Sequence, residues 1–144
     1  MVKEKLLISA CFLSPGYKYD GTDNIKADIL KLKEKYDLIP VCPEVMGGLS
    51  VPRLPSEEKD GKVYMIDGRD VTLNFISGSK KALDILKENQ ITKALLKAKS
   101  PSCGYGKIYD GTFTHTLKEG GGVFARMLIK EGIEIITENE LEKL

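Results

Sequence analysis

Three cysteines carry the chemistry this chain offers, and each occupies the same kind of place. Leu6-Leu7-Ile8-Ser9-Ala10 runs into Cys11 and then Ser14-Pro15-Gly16. Leu38-Ile39-Pro40-Val41 runs into Cys42, followed by Pro43-Glu44 and Gly47-Gly48. Ala94-Leu95-Leu96-Lys97-Ala98 leads to Ser100-Pro101-Ser102-Cys103-Gly104-Tyr105-Gly106. Short apolar runs bounded by turn residues read as buried strands. Pro101 has no amide proton for a ladder and turns Ser100 away from helical angles. Each thiol therefore stands just beyond the carboxyl end of a strand. If the strands are parallel neighbours, the three thiols meet at one edge of the sheet. Three converging thiolates with no histidine or fourth cysteine suit two soft-ligand sites: zinc with an open position, or a [4Fe–4S] cluster with one iron free. No pair has the Cys-x-x-Cys spacing of a zinc finger or a thioredoxin.

Acid–base and polar groups cluster around these positions. Glu44, two residues past Cys42, either faces the same crevice, where it could orient or deprotonate a water, or is a solvated loop carboxylate. Ser100 and Ser102 flank Pro101 and serve either a substrate or the turn itself. Arg53, between Pro52 and Pro55, is either an anion contact or simply exposed. His115 is the single histidine and reads as a surface residue. Gly120-Gly121-Gly122 reads as an entry to a helix in preference to a phosphate cradle.

The intervening segments are those of an alternating α/β chain. Asp23 is expected to cap a helix over Asn24 to Tyr36, with Ile25, Ile29, Leu30 and Leu32 near helical spacing. Pro43 to Glu58 reads as a long irregular loop of functional length. Lys62-Val63-Tyr64-Met65-Ile66 and Arg69-Asp70-Val71 flank Asp67-Gly68, a type I′ hairpin signal. Thr72 to Glu88 is a second helix interrupted only by Gly78. A third begins after Gly122 and stops at Gly132. Ile133 to Ile136 is a fourth strand, and Thr137-Glu138-Asn139-Glu140 matches a capping box before a terminal helix. The fold class is α/β: one three-layer domain over 1–144, with a mostly parallel sheet of about four strands, helices on both faces in a Rossmann or flavodoxin-like arrangement, and a small β-hairpin insertion. Ligands of such open sheets bind at the carboxyl ends of the strands.

Composition narrows the class further. A length of 144 residues suffices for one core, and 42% hydrophobic with 30% charged residues is ordinary for a globular domain. A net charge of +1 gives no broad footprint for nucleic acid or an anionic membrane. No run approaches the ~20 apolar residues of a membrane span. Met1 to Lys5 pass directly into the first strand with no signal-peptide pattern, so a cytoplasmic protein is expected. An odd number of cysteines there argues against structural disulfides.

The motifs, taken in order, resemble those of a prokaryotic family that includes the thiouracil desulfidases. They are Ile8-Ser9-Ala10-Cys11, Tyr19-Asp20-Gly21, Val41-Cys42-Pro43-Glu44-Val45 with Gly47-Gly48, Pro52-Arg53, and Ser100-Pro101-Ser102-Cys103-Gly104 with Tyr109-Asp110-Gly111. The resemblance implies a [4Fe–4S] enzyme of non-redox desulfuration acting on thiolated pyrimidines. It places the cluster on Cys11, Cys42 and Cys103, general-base work on Glu44, and supporting roles on Ser100 and Ser102. Asp20, Gly21, Gly47, Gly48, Arg53 and Lys107 are expected at the substrate. One departure stands out: many relatives carry a further cysteine before the Tyr-Asp-Gly turn, where this chain has Tyr17-Lys18-Tyr19. Competing readings of the same cysteines are an iron–sulfur or sulfide carrier or sensor without turnover, and a metal-free cysteine-nucleophile enzyme.

Overall fold

Four short apolar segments pair side by side, all in the same direction. In the computed structural model, which describes residues 3–16 and 18–144, β1 (Glu4–Ser9), β2 (Tyr36–Val41), β5 (Lys93–Leu96) and β8 (Glu134–Thr137) form a parallel sheet in the order β2-β1-β5-β8. Met1, Val2 and Tyr17, the last at the position of the relatives' extra cysteine, lie outside the described residues. Registers such as Leu6↔Leu38, Leu7↔Ala94 and Leu95↔Ile136 align the strand ends, so the segments after β1, β2 and β5 emerge along one edge. Pro40 is accommodated because β2 is an edge strand, where a missing N–H need break no ladder. Strand order reverses between β1 and β5, and a crevice opens at such a point.

Alternation along the strands builds two cores. Leu7, Ala94, Leu96 and Ile135 face α3 (Thr72–Glu88) and α4 (Val123–Lys130), packing on Ala82, Leu86, Phe124 and Leu128. Leu6, Ile8, Leu95 and Ile136 face the other way onto Phe12, Ile29 and Tyr36. The second layer is built from short pieces: a 3₁₀ turn at Ala10–Phe12, α1 (Ala27–Leu30) continued by a 3₁₀ turn at Lys31–Glu34, and a 3₁₀ segment at Glu138–Lys143. The fold is thus the α/β class expected, with the helix count on one face reduced.

Several boundaries differ from expectation for identifiable reasons. The segment 24–36 is helical only from Ala27, and Asp23 does not cap it. Its carboxylate accepts the Ile25 N–H in an Asx turn, and extended Lys26 precedes the helix. Only Ile29 within α1 is buried, so little apolar face exists to prolong it. The terminal segment keeps the Thr137 half of the capping box, its hydroxyl accepting the Asn139 N–H at 3.4 Å. Glu140 then leaves helical angles (φ −133°) and pairs with Lys143, so no regular helix follows. The stretch expected as one long loop holds a helical turn, α2 (Pro43–Met46), and a strand, β3 (Ser56–Lys59). β3 pairs with β4 (Lys62–Met65) across Asp60-Gly61, both with positive φ as a type I′ turn requires. At Asp67-Gly68 the chain also reverses, but only Gly68 has positive φ, and Met65 N–H donates to Arg69 C=O; this is a bulged three-residue turn. A second small hairpin, β6 (Lys107–Tyr109) with β7 (Leu117–Glu119), follows the Cys103 loop. No helix among the described residues is long and apolar enough to cross a membrane.

Candidate active site

Each cysteine is delivered by a different strand end. Cys11 lies on the 3₁₀ turn that continues β1. Cys42 is the extended residue between β2 and α2. Cys103 follows β5 through a turn that Lys99 begins with φ 68°. That turn is held from two sides. Ser100 Oγ accepts the N–H of Ser102 (3.2 Å) and of Cys103 (3.1 Å). The carbonyls of Pro101 and Ser102 accept the first free N–H groups of α4, from Val123 (2.9 Å) and Phe124 (2.9 Å). A Cβ on Gly122 would lie 2.5 Å from the Ser102 carbonyl, so this docking demands glycine. The triple glycine is therefore a seat for the cysteine loop, and its helix-terminal N–H groups are already used.

α2 is fixed in the same way. Gly47 and Gly78 let α2 and α3 meet backbone to backbone: a Cβ on Gly78 would stand 1.7 Å from Pro43 O, and one on Gly47 1.9 Å from Asn74 O. Asn74 Nδ2 also donates to Gly47 O at 2.9 Å. The price of a mid-helix glycine thus secures the turn that carries Glu44.

The three thiols line one cavity of about 380 Å³, together with Glu44, Ser100, Ser102 and Arg53. Glu44 is 12% exposed and Arg53 4%; the guanidinium donates through Nε (3.2 Å) and Nη2 (3.0 Å) to Glu44 Oε1. Ser102 Oγ donates to Glu44 Oε2 at 2.8 Å. Because a carboxylate only accepts, the remaining bond in the chain runs from Ser100 O–H to Ser102 Oγ, at 3.0 Å. Arg53, Glu44, Ser102 and Ser100 form one continuous polar line from segments 58 residues apart.

Burial pushes all three thiols above their usual range. For Cys11 it is eased by a hydrogen bond from the Asn24 side chain and reinforced by the nearby Cys42. For Cys42 burial is offset by backbone N–H donors. For Cys103 it is opposed by the hydroxyl of Ser9 and reinforced by Cys42 and Cys11. An activated nucleophilic cysteine has a lowered value, so these sulfurs are poorly suited to act alone. Mutual proximity with raised proton affinity is what a metal or cluster relieves, since it takes up thiolates and releases protons. Three thiols lining one cavity are a soft donor set of the kind that zinc and iron–sulfur clusters take.

Of the other residues expected at the substrate, Arg53 lines the cavity while Asp20, Gly21, Gly47, Gly48 and Lys107 do not. Asp20 instead accepts from Thr22, which holds its carboxyl below the usual range. Residues given no site role from the sequence also reach the wall: Asn24, Lys97, Glu57 and Tyr109, together with His115, which is exposed as its reading as a surface residue expects. Lys97 is held by Glu138 at 2.8 Å.

A parallel sheet that gathers three cysteines and a carboxylate in one cavity at its carboxyl edge makes this an α/β protein with a thiol-lined site. Residues 6–140 match the model of the 2-thiouracil desulfurase family, and the chain belongs to that family. It is 36% identical to "Uncharacterized protein YbbK" of Bacillus subtilis (strain 168), over 96% of this chain and 99% of that one. Among solved structures it resembles the [4Fe-4S]-dependent thiouracil desulfidase TudS, with a TM-score of 0.92 and 38% identity over 99% of this chain and 95% of that chain.

Proposed function

We propose that this protein is a [4Fe–4S]-dependent desulfidase that converts a thiolated pyrimidine and water into the oxo-pyrimidine and hydrogen sulfide, with no net electron transfer. The observation that carries this reading is the meeting of Cys11, Cys42 and Cys103 in the cavity that also holds the Arg53–Glu44–Ser102 line. The three thiols would hold three irons of the cluster. When bound, the cluster supplies an open iron, a Lewis acid soft enough to favour a thiocarbonyl sulfur over oxygen.

The chain's own residues handle the water and its protons. Glu44 Oε2 retains lone pairs beyond the one taken by Ser102 and accepts a proton from a water aimed at the thiocarbonyl carbon. Arg53 holds the opposite oxygen, so the carboxylate cannot rotate away. Ser102 fixes the angle of the carboxylate, and Ser100 fixes Ser102. The apolar flank of the cavity, with Ala10, Val41 and Pro101, limits bulk water.

The test is turnover of 2- and 4-thiouracil by anaerobically reconstituted protein, following uracil and sulfide in equal amounts. Glu44→Gln is expected to keep the cluster and lose turnover by about 10²-fold or more. A fully active Glu44→Gln variant refutes the general base. A loaded protein that converts neither base refutes the desulfidase reading in favour of a carrier or sensor.

A further inference from the structure

His115 belongs to the loop that closes the β6–β7 hairpin and docks it on β3. Residues 110–116 join β6 to β7, and two of them, Phe113 (φ 58°) and His115 (φ 59°), hold left-handed backbone angles that side chains rarely adopt. Strain of this kind persists where the surroundings over-determine it, and it gathers at functional sites. Here the determinant is Glu57 on β3, which is 7% exposed and uses Oε1 to accept the N–H of Gly111 (3.0 Å) and of Phe113 (3.1 Å). A buried carboxylate is costly unless hydrogen-bonded, and this one binds the backbone of the loop. Thr112, Thr114 and Thr116 link their hydroxyls in series at 2.6 and 2.8 Å, stiffening the same loop. The result places His115 in the cavity wall, its ring edge-on to Tyr109 with centroids 6.0 Å apart and planes at 79°. Glu57 lines the same cavity.

We propose that His115 is a specificity-determining residue that stacks on the face of a flat heteroaromatic ring bound in the cavity. Tyr109 braces the imidazole from the side, and Glu57 is the positioning residue that holds the loop in its strained form. The inference rests on the desulfidase reading for the identity of the ring, and it adds that the ring itself is recognised, besides the thiocarbonyl. Stacking on aromatic side chains accepts any planar base, so it selects for the ring.

The experiment compares His115→Ala, His115→Phe, Glu57→Ala and Glu57→Gln in the cluster-loaded protein. His115→Ala is expected to raise KM for 4-thiouracil and the dissociation constant for uracil, measured by calorimetry, by about tenfold. Its kcat should stay within about twofold, with iron content and melting temperature unchanged. His115→Phe keeps a planar ring and is expected to restore both constants. Glu57→Gln retains a carbonyl that accepts both N–H groups and should match wild type, whereas Glu57→Ala should reproduce the His115→Ala binding loss. If Glu57→Ala does not fold, the two His115 variants decide. Unchanged uracil binding in His115→Ala overturns the proposal, as does a His115→Phe variant no better than His115→Ala. Wild-type protein that binds uracil without converting thiouracil would sink the desulfidase reading and leave the stacking site standing.

Discussion

Replacing Gly78 by Ala sets helix propensity against packing, and the structure decides the sign. In an unencumbered helix the change stabilises by about 1 kcal/mol. Here the new methyl would lie 1.7 Å from Pro43 O, 2.6 Å from Gly47 N and 2.8 Å from Pro43 C, all of them backbone atoms that no rotamer change can move. Pro43 O must retreat from 1.7 to about 3.4 Å, the near limit of ordinary contact, and α2 must retreat with it. Overpacking of this kind costs about 3 kcal/mol at the upper end of its usual range, which leaves a net loss of about 2 kcal/mol. Urea unfolding of the apoprotein measures that loss, and a thermal melt should fall by roughly 7 °C. The displacement also carries Glu44 away from Ser102, whose hydroxyl now sits 2.8 Å from Oε2. A shift of about 1 Å at a reacting group costs about 10²-fold, so turnover should fall further than stability explains. A Gly78→Ala variant that is more stable by about 1 kcal/mol and fully active would refute the backbone-contact argument.

Other consequences follow from the same geometry. Arg53→Leu leaves the nearly buried Glu44 carboxylate without its cation, and should destabilise the protein by about 3 kcal/mol in urea titrations and lower kcat while iron content stays constant. Arg53→Lys should recover the charge without the two-nitrogen grip, and so only part of the activity. The apoprotein should lose stability as pH rises. Burial raises the folded-state values of Cys11, Cys42 and Cys103 above those of free thiols, so the folded chain binds more protons than the unfolded chain at alkaline pH. That stability is complete below the ordinary thiol range and is lost as pH climbs through it; denaturation midpoints between about pH 7 and 10 test this. A midpoint that is flat or rising over that interval contradicts it.

Much of the scaffold is legible in the chain because Pro and Gly end the apolar runs sharply. β1 and β2 stop just before Cys11 and Cys42, β5 stops at Leu96 and reaches Cys103 through the Pro101 turn, and the burial of Leu6, Leu7, Ile8, Leu95 and Leu96 follows from uninterrupted hydrophobicity. α3 spans Thr72–Glu88 as its periodicity indicates, since an amphipathic face of that length is unambiguous. The polar half of the site was hidden by local chemistry. Ser56-Glu57-Glu58-Lys59 has the composition of an exposed loop, yet it pairs as β3 with both glutamates buried. Their burial depends on partners distant in sequence: the Gly111 and Phe113 N–H groups for Glu57, and Arg126 at 2.7 Å for Glu58. Gly78 looked like a weakness in a helix, and only the approach of Pro43 shows its use. His115 is exposed, as its neighbourhood of threonines indicates, and only the fold shows that it also lines the cavity. Its place depends on Glu57, more than fifty residues away.

The central claim is that three cysteines from three adjacent strands hold one [4Fe–4S] cluster. Iron and acid-labile sulfide per chain, after anaerobic reconstitution of wild type and of the single Cys11→Ala, Cys42→Ala and Cys103→Ala variants, test it most directly. About four of each per wild-type chain, with loss of the cluster in every variant, is the result the structure predicts. Wild-type protein with no iron or sulfide, or a variant that loads as fully as wild type, would contradict it.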